Sequence, residues 1–316
     1  MALSKKLKTA LDETRMLMLG AQILLGFGLR SVFADAFDAL PPHARALDGI
    51  GLGLMVIVVG LLIAPGPYHR IVEGGADSGS LHDLLTEIAD LVLLPFALAI
   101  GVNVFLAAER MFSIAAAIAA GGGTAALALS LWYGLPLARR RNIGKRERAM
   151  AQRQRNQRSD TPLQVKIEQM LTEARVILPG AQALFGFQLS IVLTKSFEDL
   201  EPASQILHAA SLGLVALSAM LLMAPAAYHR IVYAGEDSEE MHRTGSLLVT
   251  LATAPLALGL IGDIYIVITK IAGPTVGLTA AACTLVLLFG LWYAYPLAVV
   301  LRERRGSPAK AAGQSG

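Results

Sequence analysis

The side chains best suited to chemistry occur twice in this chain. Tyr68-His69-Arg70 follows Ala64-Pro65 and precedes Gly75, Asp77 and His82, while Tyr228-His229-Arg230 follows Ala224-Pro225 and precedes Gly235, Asp237 and His242. Imidazoles bind metals, carry protons and respond to pH near neutrality, because their ordinary pKa lies near about 6.5. His69, His82, His229 and His242 therefore admit several roles. They suit the ligand set of a metal, with Asp77 and Asp237 as carboxylate partners, or the axial ligands of a haem. They also suit a gate or sensor in which Tyr68, Arg70, Tyr228 and Arg230 stand beside them. A plainer role competes with all three, in which Tyr and Arg anchor helix ends among lipid headgroups and the histidines cap neighbouring helices. Each pair of histidines is separated by 13 residues that include a polar stretch, Glu73 to Ser80 in the first case. The two rings of a pair therefore do not stack along one helix, which weakens the haem reading.

A second set of polar residues falls in or beside apolar segments. Glu13 and Arg15 precede Gln22, and Glu173 and Arg175 precede Gln182. The Glu-x-Arg spacing is too short for a pair on one helix face, so these side chains are expected to bond to other elements, such as the Tyr-His-Arg segments on the same side. Arg30, Glu87 and Asp90 are ionisable where the equivalent later positions are Ser190, Leu247 and Thr250. Charge inside a span is costly and marks either a functional path or an internal pair. Gln22, Gln182, Asp90, Arg30 and Glu87 are accordingly the candidate pathway residues. Asp263 takes the place of Asn103 near the outer end of its span, where water is expected to solvate it.

The elements that must position these residues follow from a duplication. At a constant offset of 160 residues, Gly20-Ala21-Gln22, Gly26-Phe27, Pro95, Trp132-Tyr133 and Pro136 recur as Gly180-Ala181-Gln182, Gly186-Phe187, Pro255, Trp292-Tyr293 and Pro296. Such self-similarity is the mark of a tandem repeat. Of the 316 residues 54% are hydrophobic and 16% charged, and the mean hydropathy is +0.56. A water-soluble chain could not hide that much apolar surface, so a bilayer is the expected solvent. Apolar runs of about 20 residues, the length of a transmembrane helix, lie near 15–34, 46–64, 84–107 and 112–135, and again near 175–194, 205–224, 245–269 and 275–299. The predicted fold is all-α and polytopic, with eight transmembrane helices as two parallel four-helix repeats. Residues 1–137 form the first repeat, 138–164 a basic linker, 165–301 the second repeat and 302–316 a flexible tail.

Basic residues near span ends remain cytoplasmic. Nine Lys and Arg lie between Arg139 and Arg158 against a single acid, Glu147; Lys5, Lys6 and Lys8 open the chain, and Arg302, Arg304 and Arg305 close it. Both termini and the linker are thus expected on the cytoplasmic side of a bacterial inner membrane, and residues 1–40 are retained despite a signal-like start. The linker reads as a topology signal and a contact for anionic lipid rather than for nucleic acid. The chain is compatible with a homo-oligomer. Cys283, the sole cysteine, reads as a packing residue. Pro95 and Pro255 are expected to kink their helices. No Ser-His-Asp order, His-Glu-x-x-His, Walker or dinucleotide motif appears in a supporting context, so an enzyme is not expected.

The run from Glu173-Ala174-Arg175 through Pro179-Gly180-Ala181-Gln182-Ala183-Leu184-Phe185-Gly186-Phe187-Gln188-Leu189, with Ala224-Pro225-Ala226-Ala227-Tyr228-His229-Arg230, resembles the bacterial membrane family known as domain of unknown function 6328. The first half departs from it at Leu19, Leu25 and Gly28. The resemblance spans two copies and implies a four-helix unit with an important Tyr-His-Arg segment, but no mechanism. A fused pair implies that single-unit relatives work as dimers. The leading expectation is a transporter- or channel-like protein for a small ion or solute. A metal- or haem-binding redox module and a membrane scaffold for a partner or anionic lipid stand as alternatives.

Overall fold

The computed structural model describes residues 3–76, 78–134, 162–231 and 238–306. Most of the basic linker, the end of the tail, Asp77 and Asp237 lie outside the described residues. So do the side chains of Glu13, Arg15, His82, Tyr228 and Arg230.

Eleven α-helices and no strand occur among the described residues. In the first half these are α1 (Leu3–Ser31), α2 (Pro42–Ile63), α3 (Pro65–Ile71), α4 (Gly79–Met111) and α5 (Ile114–Leu129). The second half contributes α6 (Leu163–Ile191), α7 (Lys195–Glu198), α8 (Pro202–Ile231), α9 (Glu239–Ala272), α10 (Pro274–Phe289) and α11 (Tyr295–Gly306). Six helical stretches are long and apolar enough to cross a membrane: Pro42–Ile71, Gly79–Glu109, Ile114–Gly134, Pro202–Ala227, Glu239–Ala272 and Pro274–Arg302. The first helix of each half is not among them. α1 has 29 residues, of which Leu17–Ser31 form an apolar stretch among the described residues. Lys166, Glu168, Glu173 and Arg175 similarly make the leading turns of α6 polar.

The same neighbours recur in each half. α1 and α4 both pack on α2, and α5 packs on α4; α6 and α9 both pack on α8, and α10 packs on α9. Between the halves α1 crosses α6 closely. A Cβ on Gly180 would fall on the Gln22 amide, and one on Gly26 would fall on the Phe187 ring. α2 touches α9 and α10, while α3 touches α9 and α11. One continuous apolar core runs through both halves, including Leu25, Leu29, Met55 and Leu62 from the first and Ile167, Leu184, Leu260 and Leu288 from the second. At the end remote from the Tyr-His-Arg segments, Lys270 bridges the halves to Asp38 at 3.3 Å.

The repeated Ala-Pro behaves differently in the two copies. Pro65-Gly66-Pro67 ends α2 at Ile63 and starts the separate helix α3, whereas Pro225-Ala226-Ala227 lies inside the uninterrupted α8. Each proline lacks the N–H that would bond four residues back. Two prolines flanking a glycine remove two alternate bonds, while a single proline among alanines removes one.

Pro95 and Pro255 lie inside the continuous helices α4 and α9. Two carbonyls in the turn ahead of Pro255 receive side-chain donors. Ser218 Oγ donates to the Ala252 carbonyl at 2.7 Å, and Tyr293 Oη to the Thr250 carbonyl at 2.9 Å. Tyr133 donates likewise to the Asp90 carbonyl in the first half. Both tyrosines stand in short π-helical turns, Ser130–Gly134 and Gly290–Ala294. Such turns rotate side chains out of the regular helical register and are frequent at functional sites.

Candidate functional site

The first-half Tyr-His-Arg segment is built into the seam. Glu173 of α6 is 4% exposed and accepts from both residues of the His-Arg pair on α3. His69 Nδ1 donates to Glu173 Oε1 at 2.6 Å, and the Arg70 guanidinium donates to Oε2. Arg70 Nε donates onward to Thr250 Oγ1 of α9 at 2.9 Å. Thr250 in turn donates to the Ser246 carbonyl at 2.8 Å, and its own carbonyl accepts from Tyr293 and from Thr253 Oγ1. Charge-assisted bonds of this kind are about twice as strong as neutral ones, and burial spares them from screening. The carboxylate compensates both basic side chains in one place.

Helix starts and small residues explain the placement. The short helix α3 carries the His-Arg pair on the side that meets α6. Gly66 lies beside the Arg70 guanidinium, which a Cβ there would meet at an ordinary contact distance of 3.4 Å. Tyr68 is buried and stacks on Tyr295 of α11, with ring centroids 5.8 Å apart. Trp292, fully buried, reaches across from the π-helical turn and donates to the Gly60 carbonyl at 2.8 Å. A cavity of about 30 Å³ lies beside the cluster, lined by Thr14, Met18, Leu62, Pro65 and Glu173 among others. It has room for about one water molecule.

His242 comes to the same region from the start of α9. A Cβ on Gly75 would approach its Nε2 to 2.6 Å, and the ring lies within electrostatic reach of His69, Glu173 and Lys166. Gly75 has φ +77, a conformation that glycine accepts without strain. Thus His69 and His242 share one end of the seam. His229 is half-buried at the end of α8, while the side chains of His82, Tyr228 and Arg230 lie outside the described residues. Among the described residues no group of three or more His, Cys, Asp or Glu is placed to hold a metal ion.

The five candidate pathway residues do not share one lining. Gln22 is fully buried against Gly180, with neither amide atom hydrogen-bonded among the described residues. Its repeat partner Gln182 faces outward. Glu87 and Asp90 are exposed on α4, Arg30 is half-buried near the end of α1, and Arg30 forms no ion pair with Asp90 among the described residues.

At the opposite end, Asp263 is not solvated as expected; it is 4% exposed. Gln188 Nε2 donates to its Oδ2 at 2.5 Å, and His208 Nδ1 stands 3.5 Å from its Oδ1. Gly259 and Gly262 account for this burial, because a Cβ on either would collide with Val215 or Ser211 of α8, so the two helices approach closely. Sequence reasoning missed His208. A signal for it existed, since Gly28, Asp48 and Asn103 are all replaced, by Gln188, His208 and Asp263, at the same offset.

No curated protein and no solved structure matches this chain. A family model described as "Family of unknown function (DUF6328)" matches twice, over residues 2–136 and 154–296. With two matches that together take in most of the sequence, the chain belongs to that family as a tandem pair of its units.

Proposed function

We propose that this is a non-enzymatic, transporter- or channel-like protein of the bacterial cytoplasmic membrane that handles a small ion or solute. In this reading α1 and α6 join the six apolar spans, and eight helices form two parallel four-helix repeats about an axis along the membrane normal. Helices of 29 residues extend about 43 Å at 1.5 Å per residue, enough to cross about 30 Å of hydrocarbon. The basic linker and both termini face the cytoplasm, and the linker also meets anionic lipid.

The observation that carries the reading is the buried His69–Glu173–Arg70 cluster. It ties a short helical segment of one half to two helices of the other. Any sliding or rocking of the halves must rearrange that cluster, so it serves as a cytoplasmic gate. Such a gate is bistable because packed interfaces switch rather than stretch. Protein reconstituted in liposomes is expected to pass protons or a small inorganic ion faster than empty vesicles, and Glu173→Gln to change that rate at least several-fold. Fluxes of protons, sodium, potassium and chloride all equal to those of empty vesicles would refute the reading.

One observation favours a second reading. A carboxylate on Nδ1 with Nε2 left open is how metal-binding histidines are oriented, and His69 Nε2 has no hydrogen-bond partner among the described residues. Metal content and an optical spectrum of protein purified from native membranes distinguish the two. Bound metal or a haem band lost on His69→Ala would transfer the cluster to a redox or metal role.

A further inference from the structure

We propose that His208, Asp263 and Gln188 form a proton-binding site at the end of the molecule away from the gate. It deepens the transport reading by naming the proton as the ion handled there. The three side chains come from α8, α9 and α6 and are 2%, 4% and 1% exposed. His208 Nε2 lies 3.1 Å from the Gln188 backbone carbonyl. A carbonyl only accepts, so this nitrogen carries a hydrogen and the tautomer is fixed. Nδ1 then faces the Asp263 carboxylate, whose other oxygen is held by Gln188 Nε2.

Both states of the pair are chemically complete. In the empty state a neutral imidazole, protonated on Nε2, faces a carboxylate and the site bears one negative charge. In the loaded state a proton from water has added to the Nδ1 lone pair, and an imidazolium faces the carboxylate with no net charge. Release returns that proton to water. No other bond forms or breaks.

The surroundings make the exchange local. Among the described residues Asp263 from α9 is the charged group facing the ring; α6 presents the neutral Gln188, and α7 places Phe197 edge-on with its centroid 5.3 Å away. His208 lies six residues inside the start of α8, about 9 Å along the axis, so the path to water is short. Gln188 Oε1 is buried and has no hydrogen-bond partner among the described residues. The first half cannot repeat the site. At its equivalent positions Gly28 has no side chain, Asp48 is an acid, and Asn103 donates to the Ala99 carbonyl at 2.8 Å. Among the described residues the site therefore occurs once, whereas a generic surface ion pair would have no reason to be confined to buried positions of one repeat.

The test is nitrogen NMR of histidine-labelled full-length protein in lipid nanodiscs between pH 4 and 9, with His208 assigned by its loss in His208→Gln. Nδ1 is expected to pass from unprotonated to protonated as pH falls while Nε2 keeps its hydrogen, and Asp263→Asn is expected to displace that transition. A ring that remains in one protonation state throughout, or a transition unmoved by Asp263→Asn, would overturn the proposal. The wild-type titration needs no variant to fold. Proton flux in vesicles separates the two levels. A titrating His208 with flux unchanged in Asp263→Asn would preserve the binding site but refute its part in transport. Flux through a protein whose His208 does not titrate would leave the transport reading intact and sink this one.

Discussion

Val102 of α4 lies over Gly51 of α2, whereas at the equivalent crossing of the second half Gly262 of α9 lies under Ser211 of α8. The two repeats thus bring the same helices together with the small residue on opposite partners. The consequence extends one turn away, where the second half has room for a buried His-Asp pair and the first has an aspartate beside a small pocket lined also by Gly28 and Asn103. The π-helical turns show the same divergence at their shared tryptophan. Trp292 is fully buried and bonded to Gly60 across the seam, while Trp132 is half-buried and stacks on Phe96 of its own half at 5.8 Å. Identity at a duplicated position fixes the local turn; the docked half decides the environment.

The greatest loss should follow removal of the carboxylate that serves both basic residues. Glu173→Ala leaves Arg70 buried without its counter-charge, a change of about 3–5 kcal/mol, which a large fall in apparent melting temperature in detergent would reveal. Retention of wild-type stability would show that this end of the seam is not held by charge. Trp292→Phe should rank next, at about 1–3 kcal/mol for the lost cross-seam hydrogen bond to the Gly60 carbonyl and lost packing, with Trp132→Phe clearly milder. Equal effects would break the contrast between the two π-helical turns.

Glycines sharpen it further. Gly180→Ala forces the Gln22 side chain aside and should cost about 1–3 kcal/mol by overpacking; Gly186→Ala, with nothing within 4 Å of the added carbon, should change stability by less than about 0.5 kcal/mol. Smallest of all is Cys283→Ser. Cys283 is exposed beside a largely apolar groove of about 380 Å³ lined also by Gly49, Gly53 and Ile264. Wild-type melting and full protection of the variant from a thiol-reactive lipophilic probe are the expected results.

Much of this molecule was legible in order of residues alone. Long apolar runs announced the helices, and the constant offset announced the two units, because hydrophobic length and repetition are local properties. The depth argument also placed Glu173 beside a Tyr-His-Arg segment. It could not say that the glutamate of the second half would meet the histidine of the first, since hydropathy does not encode how halves dock. The acid Asp263 was read as solvated because depth in a span was counted from its end, whereas Gly259 and Gly262 let α8 cover it. His208 escaped notice as a lone histidine among apolar residues, and its partners are 20 and 55 positions away in sequence.

The join between α2 and α3 has a consequence for how such a protein can change over generations. When two identical chains pair, every substitution appears on both sides of the axis and must suit both. Fusion lifts that restriction: Pro65-Gly66-Pro67 and Pro225-Ala226-Ala227 can diverge into an interrupted helix and an unbroken one. One copy can then give up helical hydrogen bonds that its twin keeps, an inequality that no symmetric pair could inherit.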